Sequence, residues 1–262
     1  MENSLLRPGS SRTYNSLFNK WIRPLMETGG PWDEARFHKC LSFWLHKHKL
    51  APRTVKILIR LLGAEVGRLG VVLPLRAATT QIMKSVQDEE AKALTKEQSK
   101  LLLEACQGTE LYLPVLLALH TGMRRGEVFG LKWADVDIFH GQIKVQRSYT
   151  GPTKNGKSRV VPISLTLEKV LLDKIPMKAD NSDKLVVSSK FDPNPALRAA
   201  CRRAGIEPIN FHALRHTFAT LALESGKSPR KVQQVLGHSA LSTTLNVYWS
   251  VTQEKLTMEF LE

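Results

Sequence analysis

The 262-residue sequence predicts a mainly α-helical protein with one small antiparallel β-sheet, arranged as two domains. Three observations lead there. Apolar residues recur at helical spacing through residues 11–85, with lysines and arginines on much of the opposite faces. A separate helical block opens on its own start signal near residue 95. Between residues 135 and 163 the apolar period switches towards two, around Asn155-Gly156, the strongest short signal for a hairpin. A chain of this length buries one large core or two modest ones. The less apolar stretch 77–92, with its acidic run Asp88-Glu89-Glu90, is expected to be the linker, giving domains 1–88 and 89–262.

Each element follows from local chemistry. Ser11 or Thr13 can cap a first helix carrying Tyr14, Leu17, Phe18, Trp21 and Ile22, closed by Gly29-Gly30-Pro31. A second helix runs from about Asp33 with Phe37, Cys40, Leu41, Trp44 and Leu45 on one face. Pro52 and Thr54 open a third that turns Val55, Leu58, Ile59, Leu62 and Val66 inward. After the linker, Thr95 and Gln98 have the spacing of a capping box, and Pro114 to His120 reads as a buried helix leading to a turn at Gly122. Ile143, Val145 and Arg147 alternate with polar positions, and Val160, Val161 and Ile163 answer from a second strand. Lys154 then sits at the hairpin tip. Helices resume after Pro162. Ser228-Pro229 starts one that Gly237 stops, and Ser242 can cap the next, which carries Tyr248.

Composition narrows the partners. The net charge is +14, and residues 1–85 hold 14 Lys/Arg against 5 Asp/Glu, while the longer remainder holds 24 against 19. Such a surplus in the shorter part suits a polyanion, because each neutralised phosphate releases condensed counterion. An anionic membrane fits less well, since the basic residues are not confined to one amphipathic helix. No stretch is long and apolar enough to span a bilayer, and no apolar signal segment opens the chain, so the cytosol is the expected compartment. Cys40, Cys106 and Cys201 are odd in number and lack metal-site spacing, which suits reduced thiols.

The chemistry gathers in two places. Thr121-Gly122-Met123-Arg124-Arg125-Gly126-Glu127 offers a guanidinium at a helix start, and Phe211-His212-Ala213-Leu214-Arg215-His216 offers His-x-x-Arg on another helix. Together they can grip the non-bridging oxygens of one phosphodiester, since arginine's planar fork holds two oxygens and keeps its charge. Leu236-Gly237-His238-Ser239 and Tyr248 add an imidazole and a phenol. His212 and His216 also have the spacing of a zinc pair, but Ala213 stands where a metalloprotease needs Glu, and no third ligand is apparent. No carboxylate cluster suggests a magnesium nuclease. The helix pair around Gly237 leaves a helix-turn-helix regulator open.

The order Arg124, Lys154, His212-x-x-Arg215, His238, Tyr248 resembles that of the tyrosine recombinases, the phage-integrase family. Thr-Gly-Met-Arg, Leu131-Lys-Trp-Ala-Asp-Val-Asp137, Leu236-Gly-His-Ser and Ser242-Thr-Thr-Leu-Asn-Val-Tyr248 share the resemblance, which is strong from about residue 93 and diffuse before it. It implies a two-domain clamp on double-stranded DNA: a helical core-binding domain and a catalytic domain. The activity it implies is site-specific recombination through a 3′-phosphotyrosyl intermediate, in mobile-element integration or excision or a related task. No metal or other cofactor is implied. Four copies act on two DNA sites, with a monomer expected in solution. Type IB topoisomerases, with similar chemistry, are the nearest enzymatic alternative.

Carried over residue by residue, the resemblance makes Tyr248 the nucleophile. Arg124 and Arg215 become the phosphate grips, with Arg125 set aside because Thr-Gly-x-Arg puts the family's arginine at 124. Lys154 becomes the general acid to the leaving oxygen, with Lys157 as its competitor. His212 would assist proton transfer at the tyrosine and His238 would donate to the phosphate. Glu127, three residues after Arg124, is placed to buttress that guanidinium. The apolar tail with Val251, Leu256, Met258, Phe260 and Leu261 is expected to dock on a neighbouring subunit. With no room before about residue 10 for an arm-binding domain, the expected enzyme is a minimal one.

Overall fold

The computed structural model describes residues 8–84, 93–153, 156–175, 182–187 and 192–237. Two compact units divide the chain, Met1–Glu89 and Glu90–Glu262. The first is helical. Helix α1 (Pro8–Leu17) runs through a π-helical turn (Phe18–Ile22) into α2 (Arg23–Glu27). Ser11 and Thr13 lie inside this helix rather than at its cap. Asp33 caps α3 (Glu34–Ser42) by accepting the Arg36 N–H at 2.7 Å, and α3 continues into a second π-helical turn (Phe43–Lys47). Helix α4 (Pro52–Arg68) opens on Pro52 and buries Val55, Leu58, Ile59, Leu62 and Val66, the expected face. These pack with Ile22, Phe37 and Trp44 into one core.

The stretch expected as linker is helical over its first part, within α5 (Leu75–Lys84). Leu75 and Ala78 lie three residues apart and join the α4 core, while the Thr79 and Thr80 hydroxyls donate back to the carbonyls of Leu75 and Arg76 at 2.7 and 2.9 Å. Composition misled here because threonine satisfied its polar group within the helix.

The turn after the second π-helical turn holds a strained residue. Lys49 has φ +47°, and the Leu50 N–H closes the helix end by donating to the Trp44 carbonyl at 2.9 Å. Only glycine adopts that conformation without a Cβ clash. Lys49→Gly should therefore stabilise the fold by about 1 kcal/mol, read as a raised denaturant midpoint with unchanged slope.

In the second unit, Thr95 caps α6 (Lys96–Cys106) with the expected reciprocal bonds: Gln98 N–H to Thr95 Oγ1 at 3.1 Å, and Thr95 N–H to Gln98 Oε1 at 3.0 Å. Helix α7 (Tyr112–Thr121) is buried from Leu113 to Leu119 and forms the centre of the core. The short helix α8 (Arg125–Val128) follows.

The strands are β1 (Val136–Asp137), β2 (Gln142–Val145), β3 (Arg147–Ser148), β4 (Gly151–Pro152) and β5 (Arg159–Pro162). An antiparallel sheet runs in the order β1-β2-β5, with buried Ile143 opposite buried Val161, and β3 pairs with β4 in a second small ladder. Val160 is 55% exposed, so the inward face of β5 is Arg159 and Val161 rather than the two valines together. Helices α9 (Leu165–Lys174), α10 (Pro193–Arg203), α11 (Phe211–Glu224) and α12 (Pro229–Leu236) complete the described unit. Ser228 caps α12 and left-handed Gly237 ends it, as the sequence indicates. No described helix is long and apolar enough to cross a membrane.

Candidate active site

The site begins where the buried helix α7 stops. Gly122 ends it at φ +63°, and a Cβ there would come within 2.5 Å of the Phe218 ring and 2.6 Å of a Leu236 methyl. Glycine thus supplies both the left-handed turn and the room for α11 and α12 to close in. Beyond that turn, Arg124 is the N-cap of α8 and Glu127 its third helical residue. The Glu127 carboxylate accepts the Arg124 backbone N–H at 2.8 Å and the Arg124 guanidinium at 2.9 Å. A second arginine completes it: Arg159 of β5 donates Nη1 to Oε1 at 3.0 Å and Nη2 to Oε2 at 2.6 Å, a bidentate fork.

The C-terminus of α12 gathers the arginines. Three consecutive carbonyls there each accept from a different guanidinium: Val235 from Arg159 Nε at 2.6 Å, Leu236 from Arg215 Nη2 at 2.8 Å, and Gly237 from Arg124 Nη2 at 3.4 Å. The last carbonyls of a helix have no intrahelical donor and carry the negative end of its dipole, so cations are drawn to them. Arg215 also donates Nη1 to the Gly122 carbonyl at 2.8 Å, tying the end of α7 to the end of α12. Glu127 and Arg215 are 2% and 4% exposed, whereas the side chains of Arg159 and Arg124 are 11% and 23% exposed.

Two guanidiniums thus bond one carboxylate, and Arg215 feels its charge. Burial pushes the Glu127 carboxyl up, but the hydrogen bonds and charge of Arg159 and the N–H and charge of Arg124 outweigh it and hold the group below the usual glutamate range. Burial, with the charges of Arg124 and Arg159 behind it, pushes Arg215 down to about 9, and Glu127 counters only in part. Arg215 is still charged at neutral pH, in a cluster with a surplus of positive charge that favours an anion.

The chain on either side of residues 154 and 155 is anchored at α8. On the outgoing leg the Tyr149 N–H donates to the Gly126 carbonyl at 2.8 Å, and a Cβ at Gly130 would come within 2.5 Å of the Ser148–Tyr149 backbone, so the strand lies directly on the end of α8. Arg159 pins the returning leg. Between them, Gly156 N–H donates to the Thr153 carbonyl at 2.9 Å, and the Thr153 hydroxyl donates to the carbonyl of exposed Lys157 at 2.8 Å.

Of the residues singled out in the sequence, Arg124, Glu127 and Arg215 fall in one cluster. His212 stands in the first turn of α11, exposed, its ring edge-on to His216 with centroids 5.1 Å apart. Arg125 turns away from the cluster to Asp192 at 3.3 Å. Lys154, His238 and Tyr248 lie outside the described residues, as do Asn155, Ser242 and the apolar tail. Among the described residues no three His, Cys, Asp or Glu side chains converge as metal ligands would. Arg159 was not singled out from sequence. Its signal was present in the strand period: it shares a face with Val161, and an arginine on an inward face needs a buried partner.

The sequence model of the phage integrase family matches residues 86–255. The tyrosine recombinase XerA of Thermococcus kodakarensis is 32% identical over 254 residues, covering 92% of this chain and 85% of that protein. The XerA of Saccharolobus solfataricus is 33% identical over 178 residues, 68% of this chain and 58% of that protein. Among solved structures, the Tn1549 transposon integrase in complex with a circular intermediate DNA has the same fold, with a TM-score of 0.74, 18% identity and coverage of 96% of this chain and 94% of that one. A XerA recombinase crystal structure gives a TM-score of 0.54 and 24% identity, covering 99% and 94%. With its match to the family model over residues 86–255 and its 32% identity to the Thermococcus kodakarensis XerA, the chain belongs to the phage integrase family and is a tyrosine-type site-specific recombinase.

Proposed function

We propose that this recombinase cuts and rejoins double-stranded DNA at a specific site through a 3′-phosphotyrosyl intermediate on Tyr248. The observation that carries this is the arginine cluster, in which Arg124, Arg159 and Arg215 are matched by the single carboxylate of Glu127. Among the described residues the surplus is two positive charges. A phosphodiester carries one negative charge and its pentavalent transition state two, so the cluster complements the transition state better than the ground state.

In this reading Arg124 and Arg215 hold the non-bridging oxygens with the donors left over from their carbonyl and carboxylate bonds. Tyr248 attacks the phosphorus, and the ester energy is kept in the phosphotyrosyl link, so a second strand can displace it without ATP. Lys154 protonates the departing 5′ oxygen, His212 assists proton transfer at the tyrosine, and His238 donates to the phosphate. The guanidiniums supply the positive charge, so the reading requires no metal or other cofactor. The Tn1549 integrase of the same fold was solved on DNA, which supports duplex DNA as the partner here. The basic surplus of residues 1–85 supports a second DNA contact from the first unit. Assembly of four copies on two sites, acting in integration or excision of a mobile element, completes the proposal.

Footprinting with covalent trapping on DNA flanking the gene tests it. A suicide duplex should leave a covalent protein–DNA adduct whose labelled peptide contains Tyr248. No adduct, or one on another residue, overturns the assignment. An adduct accompanied by relaxation of any supercoiled plasmid, with no recombinant product, overturns it in favour of a topoisomerase.

A further inference from the structure

We propose that Arg159 is a positioning residue for strand cleavage, holding the phosphate-binding arginines in register by fastening Glu127 to the C-terminal end of α12. The inference rests on the recombinase reading above and deepens it.

The geometry distinguishes Arg159 from an ordinary ion-pairing arginine. Its Nη1 and Nη2 take both oxygens of Glu127, at 3.0 and 2.6 Å, and its Nε takes the Val235 carbonyl at 2.6 Å. All three nitrogens of one rigid plane are therefore committed to two different elements. Glu127 is the partner of Arg124, and the carbonyls after Val235 are the partners of Arg215 and Arg124. Arg159 thus closes a ring of contacts: Arg159 to Glu127, Glu127 to Arg124, Arg124 to Gly237, and back through the end of α12 to Val235.

Removing Arg159 leaves each arginine with a partner but lets α8 and the end of α12 shift against one another. Within that ring Glu127 also directs where Arg124 can point, since the Arg124 N–H and guanidinium bond opposite oxygens of the carboxylate that Arg159 clamps. Lysine at 159 keeps the charge and most of the stem but replaces a rigid plane of three nitrogens with one ammonium, so it does not reproduce the fork and the Val235 contact together. The effect belongs to alignment rather than to binding, because Arg159 has spent three donors within the protein.

The test is single-turnover cleavage of the duplex mapped by covalent trapping, made once with the ordinary scissile phosphodiester and once with a methylphosphonate there. The methylphosphonate lacks one anionic oxygen and asks less of the aligned arginines. Arg159→Lys should slow cleavage of the phosphodiester by about ten- to hundred-fold, the cost of misplacement by about 1 Å, with little change in affinity for the same duplex. Relative to wild type, the loss should be much smaller on the methylphosphonate. The ratio of the two rates does not depend on the fraction of variant that folds, so a destabilised preparation still gives an answer. Wild-type cleavage by Arg159→Lys, or equal losses on both duplexes, overturns the positioning role. Either result leaves the recombinase reading standing, provided the wild-type protein forms its Tyr248 adduct; failure of that adduct counts against the recombinase reading instead.

Discussion

Arg215→Lys is expected to reduce the cleavage rate by about 10²- to 10³-fold, the usual cost of losing one preorganised donor to developing negative charge. The described bonds say why a conserved charge is not enough. Arg215 reaches the Gly122 carbonyl with one nitrogen and the Leu236 carbonyl with another, both at 2.8 Å, and is 4% exposed while doing so. A lysine ammonium reaches one of those carbonyls and leaves the other unpaired in a buried place, at about 1–3 kcal/mol. It also loses the rigid plane that fixes the remaining donors. Single-turnover cleavage and thermal unfolding on the same variant separate the two effects. The expected pattern is a lowered Tm and a far larger loss in rate than in DNA affinity. A variant that cleaves within about threefold of wild type removes Arg215 from the phosphate site, since even a weak general contribution exceeds that.

Arg215 also explains what sequence can and cannot reveal here. His212-x-x-Arg215 is a local spacing on one helix and is visible to any reader of the chain. Its partners are backbone carbonyls 93 and 21 residues away, and a carbonyl has no letter in the sequence. The same holds for Arg159, whose carboxylate lies 32 residues upstream. Glu127 was legible because it sits three residues from Arg124 on the same short helix. Caps behaved likewise: Asp33, Thr95 and Ser228 bond to N–H groups three residues on, and their local chemistry settles the outcome. The apolar face of α4 was legible through its period. Helix α5 was not, since its threonines read as linker until their hydroxyls are seen to bond within the helix. Legibility therefore tracks the sequence distance between partners, and a candidate site assembled from four elements is where that distance is greatest.

Glu127→Ala should cost about 3–5 kcal/mol of stability, because it removes one side of a buried ion pair and leaves the other uncompensated. Here the case is stronger than for a single pair. Glu127 accepts four donors from Arg124 and Arg159, and Arg215 adds a third guanidinium to the same cluster. Against a total stability of about 5–15 kcal/mol, the variant is expected to sit close to unfolding at room temperature. Glu127→Gln keeps the shape and one acceptor oxygen, so it should fold, yet its amide presents a donor to an arginine that is itself only a donor.

Two measurements then follow from the charge. The Gln variant has one more net positive charge, so its non-specific DNA affinity should rise at low salt while its cleavage rate falls, opposite signs that general damage does not produce. The second concerns pH. The Glu127 carboxyl is held below its ordinary value, so it contributes stability above about pH 4.3, and that contribution is lost as pH falls through the depressed native value. The gap in stability between wild type and Glu127→Gln should accordingly be widest near neutral pH and narrow on acidification below about pH 4.3, as the carboxylate in the wild-type site takes up its proton. A gap that stays constant down to pH 2 would mean that Glu127 acts through shape alone, and the three arginines would then have to be balanced by something other than its charge.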